Sequence, residues 1–287
     1  MSALTFTVKQ ETVQRIDMSP LVCQLLKDMN LTDIAAIELQ NGKRKIRADE
    51  LFEITGSDTQ NIVIKNSFAK LDFIAKELQQ GSITVVGEAG AYLGIGMKSG
   101  AVTVNGNVGL YAGCEMKNGL LIIRGNAGDF LGAALPGNKQ GMKGGTVLVK
   151  GNVGQRAGDH MRRGTMLIEG NAGDYCGSRM IAGTIAVMGH TGRFLGYAMQ
   201  RGTLLLWQQP TLSATFNDCG SHTLAFLPIL FKSFSKLDSK FALEAQVFSR
   251  VQRYGGDMAE KGRAEVLVRL GKYAAENNAA FSAVSFH

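Results

Sequence analysis

Six methionines, Met97, Met116, Met142, Met161, Met180 and Met199, recur at steps of nineteen residues with one step of twenty-six. Thioethers in register are possible soft-metal ligands. No cysteine or histidine joins the row, so they read better as fillers of an irregular core. Cations follow each methionine closely: Lys98, Lys117, Lys143 and Arg162 one position on, Arg163 and Arg201 two positions on. Brought into line, these would form a basic strip, unfavourable alone and favourable beside a polyanion or an acidic partner surface. The competing reading is a solvated face whose lysines guard against edge-to-edge aggregation. His160 beside Asp159 has the look of an acid–base pair. Hexapeptide acyltransferases carry such a histidine in a coil loop, but their period is six. Asp129 and Asp174 share a repeat position with Gln155 between them, so the clustered aspartates with which a polysaccharide lyase holds calcium are missing. No catalytic residue and no metal site is assigned to the chain itself.

The elements that must position these rows follow from the same interval. Glycine heads each copy at Gly81, Gly100, Gly119, Gly145, Gly164, Gly183 and Gly202; the single long step contains a seven-residue insertion around residues 133–140. Within a copy glycine returns three more times, as at Gly87, Gly90 and Gly94, then Gly106, Gly109 and Gly113. A period of this length signals a solenoid. Nineteen residues are too few for two packed helices, and four glycines per copy oppose helix formation. After each first glycine comes an alternating, β-branched segment such as Ile83-Thr84-Val85 or Val102-Thr103-Val104, the period of a strand with one buried face. Gly-Asn pairs close the strands as turns. The expected fold is mainly β: a right-handed parallel β-helix of nineteen-residue coils, about 4.8 Å apart, with small α/β caps at both ends. An aromatic row, Tyr92, Tyr111, Phe130, Tyr175 and Phe194, is interrupted by Arg156 after the insertion. It is either a stack along the rod or a docking face.

The expected division is an N-terminal α/β cap over residues 1–61, the β-helix over 62–209 and a C-terminal capping segment over 210–287, because a β-helix must cover its open strand edges. Strands are expected at residues 4–8, 34–39 and 62–65, and a short helix over 21–29. Beyond Pro210, residues 223–234 are apolar, 241–251 read as a polar helix, 253–257 as a turn and 262–267 as a strand.

The net charge of +7 is unevenly spread. Residues 1–80 hold ten Lys/Arg against eleven Asp/Glu, residues 81–202 twelve against six, and residues 203–287 nine against seven, so the excess lies on the repeats. Nucleic acid is a poor fit, because no recognition motif appears and the strip has no interleaved aromatics. Cys23, Cys114, Cys176 and Cys219 are scattered, which argues against a zinc knuckle or iron–sulfur cluster and for free thiols in a reducing compartment. No stretch approaches a membrane span and no signal segment opens the chain, so a soluble cytoplasmic protein is expected.

The G-x-x-x-x-x-G-N-x-G-x-x-x-G-x-x-M units, their interruption over residues 131–145 and the tail R-Y-G-G-D-M-A-E-K-G-R-A-E-V-L from Arg253 to Leu267 resemble the C subunit of the formylmethanofuran dehydrogenase family. The same family supplies the corresponding subunit of the bacterial formyltransferase/hydrolase complex. The tail departs at Ala264, where glycine is usual. The repeat is also similar to the carboxy-terminal β-helix of the glutamate synthase large subunit, a domain that would serve an unrelated oxidoreductase; the tail motif argues against that alternative. The resemblance implies a non-catalytic scaffold in a hetero-oligomer with amidohydrolase-like and formyltransferase subunits. These move a formyl group between a furan-type carrier (methanofuran, or a relative such as methylofuran) and tetrahydromethanopterin in one-carbon metabolism. No cofactor is expected on this chain alone. Carriers of this kind bear glutamate-rich tails, which gives the basic strip a candidate ligand. The bacterial complex is preferred over the archaeal dehydrogenase, which adds molybdenum or tungsten and iron–sulfur subunits. Docking is the expected role of the 133–140 insertion.

Overall fold

The computed structural model describes residues 2–246 and 250–270. The chain is mainly β. It opens with β1 (Ala3–Val8), β2 (Ile16–Asp17), two short helices α1 (Cys23–Leu26) and α2 (Leu31–Ala35), the hairpin β3 (Glu38–Asn41) and β4 (Arg44–Arg47), and then α3 (Ala48–Leu51) and β5 (Phe52–Thr55). Next come β6 (Asp58–Ser67), β7 (Leu71–Asp72) and the repeat strands β8 (Ser82–Gly87), β9 (Ala101–Val104), β10 (Leu120–Ile123), β11 (Lys143–Val149), β12 (Arg163–Ile168), β13 (Thr184–Val187) and β14 (Arg201–Leu206). The tail supplies β15 (Asn217–Thr223), α4 (Phe226–Phe234), a 3-10 segment Lys240–Gln246, β16 (Arg250–Gly256) and β17 (Arg263–Arg269).

Strands β8 to β14 pair in parallel with their sequence neighbours inside one 13-stranded sheet. The register follows the repeat: Ile83 faces Val102, which faces Leu121, and Leu121 faces Val147 across the insertion. A second parallel row of bridges joins Ala89, Val108, Ala127, Val153, Ala172 and Thr191. Side chains two apart on each strand, such as Val102 and Val104, point into the core with essentially no exposure, as the strand period requires. The six methionines share this interior, each at 0% exposure.

Two glycine positions show opposite reasons for glycine. At Gly106 a Cβ would lie 2.7 Å from the Gly87 carbonyl carbon and closer still to its oxygen, so stacking of one coil on the next leaves no room for it. At Gly94 the space is open to 3.8 Å, and what glycine supplies is φ +63°. Ala75 adopts φ +60° at the equivalent place one coil earlier.

Both ends of the ladder are closed by pairing. At the N-terminal end β6 adds in parallel to β8, β1 to β6, and β5 antiparallel to β1. Residues 62–65 lie inside β6, offset by twenty-one rather than nineteen residues from β8 (Ile62 faces Ile83). At the other end β17 takes the place of a further coil on β14, and β16 and β15 fold back antiparallel.

Four local expectations need correction. Residues 34–39 do not form a strand: Asn30 caps α2 by accepting from the Asp33 N–H at 2.9 Å, and the strand begins only at Glu38. The helix expected over 21–29 is confined to four residues, with Asp28 in the left-handed region at φ +67°. In the 241–251 stretch the 3-10 segment ends at Gln246 and Val251 belongs to β16; residues 247–249 lie outside the described residues. The 253–256 segment is strand and not turn. Gly256 is required there because a Cβ would sit 2.5 Å from the Phe216 ring. The turn follows it, where buried Asp257 accepts from Ala259 N–H at 3.0 Å and from Ala198 N–H at 3.1 Å, buckling the tail onto the last coil.

The outer face of the sheet changes character along the rod. Thr84 and Thr103 are partly exposed there, whereas Leu148, Leu167, Ala186 and Leu205 are buried beneath Leu227, Phe231 and Phe234 of α4 together with Phe241. All four cysteines are free, and Cys219 alone is exposed. Burial pushes the thiols of Cys114 and Cys176 up to about 12 and that of Cys23 to about 11, so these three stay protonated and unreactive near neutrality. No helix among the described residues is long and apolar enough to cross a membrane.

Candidate functional site

The conspicuous polar features lie on the corner that follows the second bridge row. Here the backbone places alternate residues in the left-handed region: the aromatic position (Tyr92 φ +61°, Tyr111 φ +59°, Phe130 φ +64°) and the glycine two residues later. The N–H groups of these left-handed residues bond neighbouring coils, for example Tyr92 N–H to Leu110 O at 2.8 Å and Gly94 N–H to Ile74 O at 2.8 Å. The outward side chains therefore stand directly above one another.

The aromatic row is a stack. Phe73, Tyr92, Tyr111 and Phe130 succeed one another at centroid separations of 4.8, 5.3 and 4.6 Å with nearly parallel planes. Phe73 extends the row one coil earlier than the glycine pattern suggests. Arg156 stands in the row without ending it: its guanidinium lies 4.5 Å from the centroid of Tyr175, which in turn stacks on Phe194 at 4.7 Å. Burial pushes the Tyr111 phenol upward from its ordinary value.

The basic residues occupy the next outward position. The N–H groups of Lys98, Lys117, Lys143 and Arg162 make one recurring bond each, to Leu78 O, Met97 O, Met116 O and Met142 O, at 2.7–2.8 Å. They are thus in register, with Arg163 opposite Lys143 across the β11–β12 pair. The row then breaks, since Ile181 and Gln200 take the next two places. It resumes where Arg201 of β14 faces Arg263 of β17, and Lys261 reaches the Gln200 amide at 3.4 Å. At the N-terminal end Lys98 pairs with Glu77 at 2.8 Å and holds that carboxyl below its usual range. Among the described residues, Lys117, Lys143, Arg162, Arg163 and Arg201 have no ion-pair partner. The free cations are therefore those from Lys117 onward.

Between the stack and this row the insertion rises over a cleft of about 410 Å³. Tyr111, Phe130 and Arg156 line one side, the loop residues Ala134 to Asn138 a second, and His160 and Arg179 a third. Asp159, 5% exposed, also lines the cleft; it accepts from Ser178 Oγ at 2.6 Å and from Arg179 Nε and Nη2 at 3.0 and 2.6 Å, with His160 Nδ1 at 3.2 Å. Glu115 anchors the loop by accepting from the Asn138 side-chain amide at 2.5 Å and from the Leu135 N–H at 3.4 Å. His160 is thus one member of a network and not an isolated acid–base candidate. The sequence carried a signal for this: two successive copies read Asp159-His160 and Ser178-Arg179 where earlier copies have Ile95-Gly96 and Cys114-Glu115. Among the described residues no group of three His, Cys, Asp or Glu is disposed to hold a metal ion.

The GXGXG motif family matches residues 38–223. The chain is similar to the C subunit of the tungsten-containing formylmethanofuran dehydrogenase 2 of Methanococcus maripaludis, 31% identical over 97 residues, which are 33% of this chain and 36% of that protein. Its counterpart from Methanocaldococcus jannaschii is 39% identical over 57 residues, 19% of this chain and 21% of that protein. The matched part thus spans about a third or less of the length of these curated relatives. Among solved structures, a chain of the formyltransferase/hydrolase complex (FhcABCD) from Methylorubrum extorquens, determined with methylofuran, superposes with a TM-score of 0.85 at 36% identity over 93% of this chain and 100% of that one.

Proposed function

Because the chain belongs to the GXGXG family, in the line of the formylmethanofuran dehydrogenase C subunits, we propose that it is the non-catalytic scaffold subunit of a formyltransferase/hydrolase complex. The observation that carries this reading is end-to-end likeness: the whole of the FhcABCD chain is matched, over 93% of this one and at 36% identity. In this reading residues 1–61 and 210–287 cap a right-handed β-helix over 62–209; of the second cap, 247–249 and 271–287 lie outside the described residues. Right-handedness follows from the strong preference of parallel strand crossovers. The partners are an amidohydrolase-like and a formyltransferase subunit, and the chain contributes position and charge. Mild purification of the tagged chain from its native host, with mass spectrometry of what accompanies it, tests the reading. The expected companions are those two subunits. A molybdenum or tungsten subunit beside them would move the protein to the dehydrogenase type, and a flavoprotein would move it to a glutamate-synthase-like role.

The basic row has a place in the same reading, as an attractor for a polyanionic glutamate tail on a furan-type carrier. From Lys117 through Lys143 to Arg163 its unpaired cations stand on successive coils about 4.8 Å apart, a spacing that offers a carboxylate-bearing chain repeated charge contacts. Reversing Lys117, Lys143 and Arg163 together to glutamate is expected to lower carrier turnover by the complex about tenfold or more at low salt. Variant and parent should converge as ionic strength shortens the screening length. An unchanged salt dependence would remove the row from carrier handling.

A further inference from the structure

The cleft under the insertion has features that neither scaffolding nor the basic row explains. We propose that it is a binding site for a small carboxylate carried on a flat apolar body. Its cationic groups are not equivalent. Arg179 is committed to Asp159 through two donors, and the pair is close to neutral. Arg156 has no hydrogen-bond or ion-pair partner for its guanidinium among the described residues; its one recorded contact is with the Tyr175 ring. That contact holds the guanidinium against the ring without using its N–H donors, which leaves them for a bidentate oxyanion. A single uncompensated charge matches a monoanion, whereas a dianionic phosphoryl group would bring a second charge with nothing to meet it.

The rest of the lining fits the body of such a molecule. Phe130, Ala134, Leu135 and Pro136 supply apolar surface, and the Tyr111 hydroxyl and the distal nitrogen of His160 have no hydrogen-bond partner among the described residues. The volume falls within the usual range for small-molecule sites. The loop wall is held in place, because Glu115 ties down both Leu135 and Asn138. The site draws on four successive coils, from Tyr111 to Arg179, around the one that carries the insertion. The proposal is independent of the assembly reading, and the full chain suffices to test it.

Benzoate titrated calorimetrically into the full chain is expected to bind saturably with millimolar affinity or better. Benzyl alcohol, which keeps the ring and lacks the charge, is expected to bind at least about tenfold more weakly. Arg156→Gln should weaken benzoate by about tenfold or more, and Arg156→Lys, which keeps the charge and loses the fork, by several-fold. Asn138→Ala, which removes the side-chain tie to Glu115 and leaves that of the Leu135 N–H, should also weaken it. Arg193→Gln, whose guanidinium pairs with Asp174 outside the cleft, should leave the affinity unchanged. No saturable benzoate binding, equal affinity for benzyl alcohol, or parental affinity in both Arg156 variants would overturn the proposal. Tighter binding of benzylphosphonate than of benzoate would overturn the carboxylate assignment.

Discussion

Gly106→Ala is expected to leave little or no folded protein, whereas Gly94→Ala should yield a folded chain weakened by only about 1 kcal/mol. The two substitutions add the same methyl group to the same motif. At Gly106 the methyl would meet the Gly87 carbonyl group, backbone that cannot move without separating two coils. Coil separation in turn strains the bridge between Ala89 and Val108 and the bond from the Gly109 N–H to Ala89 O at 3.1 Å. The loss is of the order of 3 kcal/mol or more, a large part of the stability of a typical domain. At Gly94 no atom lies within 3.8 Å, and Ala75 already tolerates the same backbone region. Solubility and denaturant midpoints of the two variants, measured side by side, check the contrast. Equal losses at both positions would mean that backbone conformation, and not coil contact, sets the need for glycine.

Removal of residues 210–287 is the second change with a large expected effect. The truncated chain would expose the outer apolar row Leu148, Leu167 and Leu205, and would leave the β14 edge, now paired with β17, open to other chains. An unpaired flat edge beside an apolar face is a template for intermolecular pairing, so the product is expected in the insoluble fraction. In the full chain Phe231→Ala tests the covering alone. Phe231 is completely buried, and its truncation should cost about 3–5 kcal/mol while the β17 pairing persists. A monodisperse truncated chain with an unchanged melting temperature would show that the tail covers without stabilising.

The repeat was legible because each of its constraints is local. A strand with one buried face alternates, a corner in the left-handed region takes glycine, and a coil lying on its predecessor excludes Cβ atoms. Each demand recurs every nineteen residues and so accumulates in the sequence. The ends were less legible. Residues 34–39 carry β-branched and apolar residues that suit a strand, yet a cap at Asn30 and tertiary packing make the first of them helical. Gly255-Gly256 has the composition of a turn, but glycine at 256 answers to the Phe216 ring, a contact forty residues away in sequence. The switch from Thr84 and Thr103 to Leu148, Leu167, Ala186 and Leu205 did announce a covered face, and needed only to be read across the copies instead of along them. The cleft was hidden for another reason. Its residues come from four segments, and what joins them is the rise of the inserted loop, which no single copy of the repeat encodes.

The identical register from coil to coil also makes the rod a ruler graduated in whole units. One hydrogen-bonded spacing of about 4.8 Å separates each copy from the next, and no fractional step preserves the ladder. A relative whose two ends must stand farther apart has to add an entire nineteen-residue copy. Extra residues that do not complete a copy are expelled sideways, as the seven after Ala133 are, and change what the surface offers without changing the distance between its ends.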